Sequence, residues 1–130
     1  MRKQYHIRPS KNGYYAWDVH RLVALSSHLT PQKIPLSEIS ELDENYWFGG
    51  PGDVPTCREI GDHARLIDEA DLAYPIILCS NRRVMDGMHR VLKAVNAGLE
   101  TIDARVFEQD PEPDYTDVLA KDLYYEDDDA

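Results

Sequence analysis

Positive charge is in short supply: 14 lysines and arginines stand against 24 aspartates and glutamates over 130 residues. Duplex DNA binding rests on a stripe of cations that neutralises phosphates, so it is disfavoured here. Nowhere does the chain hold the roughly 18 apolar residues in a row that a membrane-crossing helix requires. The basic opening MRKQYHIRPS is not followed by the apolar run of a secretory signal. These absences predict a cytoplasmic protein with no membrane attachment. Cysteine is limited to Cys57 and Cys79, with no CxxC spacing and no cysteine–histidine set at zinc spacing. Two small buried thiols in a reducing compartment are expected. No Gly-Lys-Ser/Thr ending completes a Walker loop, and no internal repeat is visible.

The acid is unevenly placed. Residues 108–130 hold ten carboxylates against Lys121 alone, which leaves the first 107 residues close to neutral. Such a tail solvates, repels, or docks on a basic protein partner.

Hydropathy patterning predicts an α/β (α+β) domain, a small mixed sheet with flanking helices. Leu22, Leu25 and Leu29 recur at helical spacing within Tyr14 to Leu29, and Thr30-Pro31 closes that run. A short edge strand around Ile34 and Pro35 follows. Thr56-Cys57-Arg58-Glu59 is a capping box that starts a helix at Cys57, with Ile60, Ala64 and Ile67 as its apolar face. Tyr74 to Cys79 is continuously apolar and reads as a strand buried on both faces. Ser80 to Arg83 forms a turn, and Arg83 to Asp86 returns as a second strand. A helix then runs from Met88 to Ala97 on Val91, Leu92 and Val95, and Gly98 ends it in a left-handed conformation. Thr101 to Phe107 alternates as a half-buried strand. Pro111 and Pro113 are expected to end the compact body, with one weak turn near Val118 to Leu123.

The chemistry concentrates in Asp86-Gly87-Met88-His89-Arg90, where that second strand becomes a helix. Gly87 allows the tight turn. The first amides of the helix lack partners and lie at the positive end of its dipole, a ready anion site. Arg90 offers a forked guanidinium one turn in, His89 a further donor, and Asp86 a carboxylate for a cation or a nucleophile. An equally good local reading makes Asp86 the helix N-cap, ion-paired with Arg90 four residues on. Spacing alone leaves both open.

A second feature is the loop NYWFGGPGDVP. Trp47 can close over a ligand while Gly49 and Gly50 let backbone approach phosphate; equally, Trp47 and Phe48 can anchor the loop to the core. His63 and Arg65 are expected at the surface, His6 in a loose terminus, and Arg83 in a solvated turn. His20 and His28 lie too far apart to pair on one metal.

From Ile34 to Phe107, and above all over YPIILCSNRRVMDGMHRVLKAVNAGLETIDARVF, the chain resembles the ParB/sulfiredoxin-like superfamily. The resemblance implies an N-terminal helical extension over 1–32, the family domain over 33–107 and an acidic tail over 108–130. Sulfiredoxins carry a catalytic cysteine where this chain has Met88, which argues against that activity. Partitioning ParB proteins carry an arginine where His89 stands and continue into a helix-turn-helix region. The D-G-x-H-R branch, which includes free-serine kinases, is more similar. It implies that Gly87, Met88, His89 and Arg90 bind the phosphates of ATP or another NTP. Asp86 would then meet Mg²⁺ or the acceptor hydroxyl, and an acid after the first strand, Glu38 or Glu41, would assist catalysis. The implied function is binding of a nucleotide or phosphorylated small molecule, with phosphotransfer or NTP hydrolysis as its catalytic form. A noncatalytic interaction module on the same fold is the alternative.

Overall fold

Tyr14, Tyr15 and Trp17 are strand-favouring residues, and in the computed structural model they lie in a strand and not in the helix that the leucine spacing suggested. Residues 4–48 and 52–123 are described. Strand β1 (Tyr5–Pro9) and strand β2 (Tyr14–Asp18) form an antiparallel hairpin in which Pro9 faces Tyr14 and Tyr5 faces Asp18. Helix α1 is therefore short, Val19–Ser26, and begins where the Asp18 side chain accepts from the His20 N–H. Its inward residues are Val19, Leu22 and Ser26, while Leu25 stays exposed. Burial of Ala16 and Trp17 outweighs the helical periodicity of the residues that follow.

The other sheet has four strands: β3 (Gln32–Pro35), β4 (Ile76–Leu78), β5 (Val84–Asp86) and β6 (Thr101–Val106). Their order is β3-β6-β4-β5, parallel between β4 and β6 and antiparallel elsewhere, with β3 on an edge. Ile76 and Leu78 face one core with Ile34, Val84, Val91 and Ala104. Ile77 and Cys79 face a second core with Trp17, Leu22, Met85 and Phe107. That two-sided burial is why β4 reads as an unbroken apolar run. Helix α2 (Cys57–Glu69) carries the expected capping box, both halves formed, and helix α3 spans Met88–Asn96. On α3 the buried positions are Met88, Val91 and Ala94; of the expected Val91, Leu92 and Val95, the first is buried, the second packs half-buried against the core and only Val95 is exposed. Helix α2 contributes no fully buried residue; Cys57, expected inside, is exposed, while Cys79 is buried. The architecture is mixed α+β, with two small sheets and three α-helices among the described residues. None of those helices is long and apolar enough to cross a membrane.

Pro111 and Pro113 do not end the body. Strand β7 (Tyr115–Val118) pairs antiparallel with β2, giving a second sheet of order β1-β2-β7. The weak turn expected near Val118 to Leu123 is present as a single turn over Ala120–Asp122, and Leu123 is buried. Gly13 is required where β7 crosses, since a Cβ there would lie 2.6 Å from the Val118 carbonyl oxygen. Asp110, Asp114 and Asp117 of the tail bond within the chain itself. Asp117 accepts from Ser10 Oγ at 2.6 Å and from the Asn12 N–H, which hold its carboxyl below the usual range. Asp114 accepts from the Asp18 N–H at 2.7 Å and pairs with Arg21, and Asp110 accepts from the Ser80 N–H. The carboxylates of Glu126 to Asp129, the other part of the expected docking tail, lie outside the described residues.

His6 is correspondingly not in a loose terminus. It lies in β1 against Trp17, with ring centroids 5.5 Å apart, and its Nε2 accepts from Arg8 Nε at 2.9 Å. Burial, reinforced by the Arg8 and Arg83 cations, lowers its pKa to about 4. The unfolded chain takes up this proton near pH 6.5 while the folded chain refuses it until far lower. His6 therefore supports stability fully above pH 7, and that support is lost as pH falls from 6.5 towards 4. By pH 5 the loss amounts to about 2 kcal/mol. Urea unfolding at pH 7.5 and 5.0 should show a drop about that much larger in wild type than in His6→Gln; equal drops would clear His6 of the effect.

Candidate functional site

The antiparallel pair β4–β5 delivers Asp86 opposite Ile77, and the chain then turns directly into α3. Gly87 makes this possible with φ 110°, a conformation that side chains oppose. It also lies so close to Ile76 that a Cβ would come within 2.6 Å of the Ile76 Cγ2. Gly87 itself is the N-cap, so no side chain caps the first amides of α3, and Asp86 does not. The first helical bond runs from the Val91 N–H to the Gly87 carbonyl. The Met88 side chain is core, 4% exposed, which leaves only its backbone for any ligand.

Asp86 and Arg90 are tied to each other. Arg90 Nη2 donates to Asp86 Oδ2 at 2.8 Å, and both side chains are about four-fifths buried. Arg90 Nη1 donates to the carbonyls of Tyr74 and Pro75 at 2.9 and 2.7 Å. The guanidinium thus clasps the segment leading into β4 to the end of β5. Of the reading that made Asp86 both N-cap and ion-pair partner of Arg90, the ion pair is realised and the cap is not.

The acids proposed to help catalysis divide. Glu41 is 2% exposed and accepts from the Val84 N–H, closing the outer edge of β5, with Arg83 Nε 3.6 Å away. Glu38 is exposed on the turn Leu36–Glu38. Arg83 is exposed, as expected, and donates to both carboxylate oxygens of Glu44, at 2.6 and 2.7 Å, and to Ser40. Hydrogen bonding to Arg83 lowers the Glu44 carboxyl in turn. Among the described residues no set of three or more histidines, cysteines, aspartates and glutamates is placed to hold a metal. Asp86, already committed to Arg90, does not make a magnesium cage on its own.

Trp47 does come to the turn, and it brings a residue that spacing could not reveal. The indole lies flat over two imidazoles, 4.3 Å from His63 and 4.7 Å from His89 between ring centroids. His63 Nδ1 and His89 Nε2 are 2.8 Å apart, a hydrogen bond between α2 and α3. Phe48 meets the His63 ring edge-on at 5.2 Å. His63, expected at the surface, is thus half-buried in the site. Burial, then the neighbouring His63, lowers the pKa of His89, and the Asp86 carboxylate opposes them. Tyr46 lies beside Trp47, its phenol raised to about 12 by burial and by the carboxylates of Glu41 and Asp86. Gly49 and Gly50 lie outside the described residues.

Two cavities share Val19, Asp86, Gly87 and His89 in their walls. The smaller, about 470 Å³, is bounded by Tyr5, Tyr46 and Trp47. The larger, about 830 Å³, runs between α1 and α2 along Val23, Leu66 and Tyr74. The α3 turn lies where they adjoin. No protein-family model, no curated protein and no solved structure matches the chain.

Proposed function

We propose that this domain is of the ParB/sulfiredoxin kind and binds a phosphorylated small molecule, a nucleotide being the best-suited class. The order of elements supports the fold assignment: β4, a turn, β5, the glycine turn into α3, then β6 returning parallel to β4. The observation that carries the binding proposal is the uncapped first turn of α3 at the wall shared by two cavities. A phosphate set there would accept from main-chain amides at the positive end of the helix. His89, in the same wall, would add a donor, and Tyr46 and Trp47 would flank a planar base in the smaller cavity.

Binding, and not transfer, is the form the side chains favour. A transferase would need Asp86 free to meet an acceptor or a cation, and Arg90 free to meet phosphate; each is instead occupied by the other. The test is calorimetric titration with ATP, ADP, CTP and GTP, each with and without Mg²⁺. Saturable binding is expected, weakened about tenfold in His89→Ala, equivalent to about 1.4 kcal/mol. Absence of heat with every nucleotide, from protein shown to be folded, would end the proposal.

A further inference from the structure

Helix α2 is held to the body in an unusual way. None of its residues is fully buried, and Ile60 and Leu66 remain 56% and 40% exposed, so apolar packing contributes less than for a typical surface helix. Two polar fastenings supplement it, both made to α3. At its C-terminal end Lys93 Nζ donates to the carbonyls of Asp68 and Ala70, each at 2.7 Å. In its middle, His63 is bonded to His89 with Trp47 laid across both rings.

The second fastening has a proton count. With both rings neutral, one N–H lies between Nδ1 of His63 and Nε2 of His89, and the bond is made. One added proton is accommodated: the inner N–H stays shared, both outer nitrogens carry hydrogen, and the indole face favours the cation. A second added proton is not accommodated. Both inner nitrogens then carry hydrogen, no acceptor is left, and two cations face each other at hydrogen-bond distance.

We propose that the His63–His89 pair under Trp47 is an acid-released clasp, which holds α2 against α3 at neutral pH and lets it go when both rings are protonated. The charged groups around it do not undo this. Asp86 on β5 favours the first proton but is already bonded to Arg90 of α3. On α2 itself Glu59 is committed to the Thr56 cap, and Asp62 lies 3.8 Å from Arg65. Lys93 on α3 is spent on the α2 carbonyls. From the loop packed on the pair, the described contacts are the rings of Trp47 and Phe48. Since Leu66 and Glu69 of α2, with Ala70 just beyond it, wall the larger cavity, release would open it. The clasp stands whether or not a nucleotide binds.

Hydrogen exchange read by mass spectrometry on the full chain at pH 7.5 and 5.0, corrected for intrinsic rates, is the test. In wild type, protection within α2 should fall at least tenfold relative to α3, a ratio that removes any global loss such as the one due to His6. In His63→Gln, whose amide can still bond His89 but cannot become a cation, the ratio should change less than twofold. A wild-type ratio that does not move, or an equal fall in His63→Gln, would overturn the proposal. Should His63→Gln not fold, ¹⁵N NMR of the wild-type imidazoles decides. Two linked steps, one well below the ordinary histidine range, support the clasp, and two independent titrations near pH 6.5 refute it.

Discussion

Arg90→Ala should destabilise the fold by about 3 kcal/mol, because it strips a largely buried carboxylate of its partner and leaves two carbonyls without a donor. In a domain of this size the melting temperature should fall by roughly 10 °C or more. The size of the effect comes from what Arg90 joins. Its guanidinium binds Asp86 at the end of β5 and the carbonyls of Tyr74 and Pro75 just before β4, so a single side chain fixes both approaches to the turn. Most of the loss is the stranded charge. The double variant Asp86→Asn, Arg90→Ala should therefore lose much less than the two single losses added together, a coupling of about 1 kcal/mol or more. Urea denaturation of the four proteins completes the cycle. Simple additivity would mean that the pair is only a surface contact and that Arg90 is available to a ligand after all.

Gly87→Ala should be comparably severe, for a different reason. A side chain at φ 110° costs about 1–2 kcal/mol in backbone strain alone. The new methyl would also lie 2.6 and 2.9 Å from side-chain carbons of Ile76, a fully buried core residue, and 3.1 Å from Arg90 Nη2. Overpacking of this kind adds about 1–3 kcal/mol. Gly98→Ala is the internal control: its φ is also positive, at 76°, but nothing lies within 4 Å of the new carbon. Thermal melts should place Gly98→Ala about 1 kcal/mol below wild type, within the range of backbone strain alone, and Gly87→Ala well below that. If the two variants melt together, the approach of Gly87 to Ile76 is unimportant and the turn is looser than described.

What the sequence made legible was local. The capping box at Thr56, the doubly buried β4, the alternation of β6 and the left-handed Gly98 each depend on a few neighbouring residues, and each formed as expected. The ion pair between Asp86 and Arg90 was one of two open readings, and the chain at Tyr74 and Pro75, which Arg90 also holds, is what favours it. Distance in sequence hid the rest. His63 reads as one polar residue on an amphipathic helix; only the packing of α2 on α3 sets it against His89, 26 residues on. Trp47 reads as a ligand lid or a core anchor, and nothing in its spacing makes it the roof of an imidazole pair. Tyr115 to Val118 carries strand-favouring Tyr, Thr and Val, but it is only four residues long and set among prolines and acids, so its signal is weak; it becomes a strand because β2 offers a free edge and Gly13 lets it approach.

That late strand sets the order in which the molecule can be assembled. β2 is made early and β7 about a hundred residues later, with Tyr14 paired to Val118. At a synthesis rate of about 5–20 residues per second, β2 waits roughly 5–20 s for its outer neighbour. Throughout that interval the Trp17 indole N–H lacks the Pro111 carbonyl, and a row of aromatic-flanked amides stands open to any passing strand. Until β7 arrives, the open edge of β2 can pair with a strand of another copy. The carboxylates of Asp114 and Asp117, arriving with β7, close that edge and coat it with charge in one step.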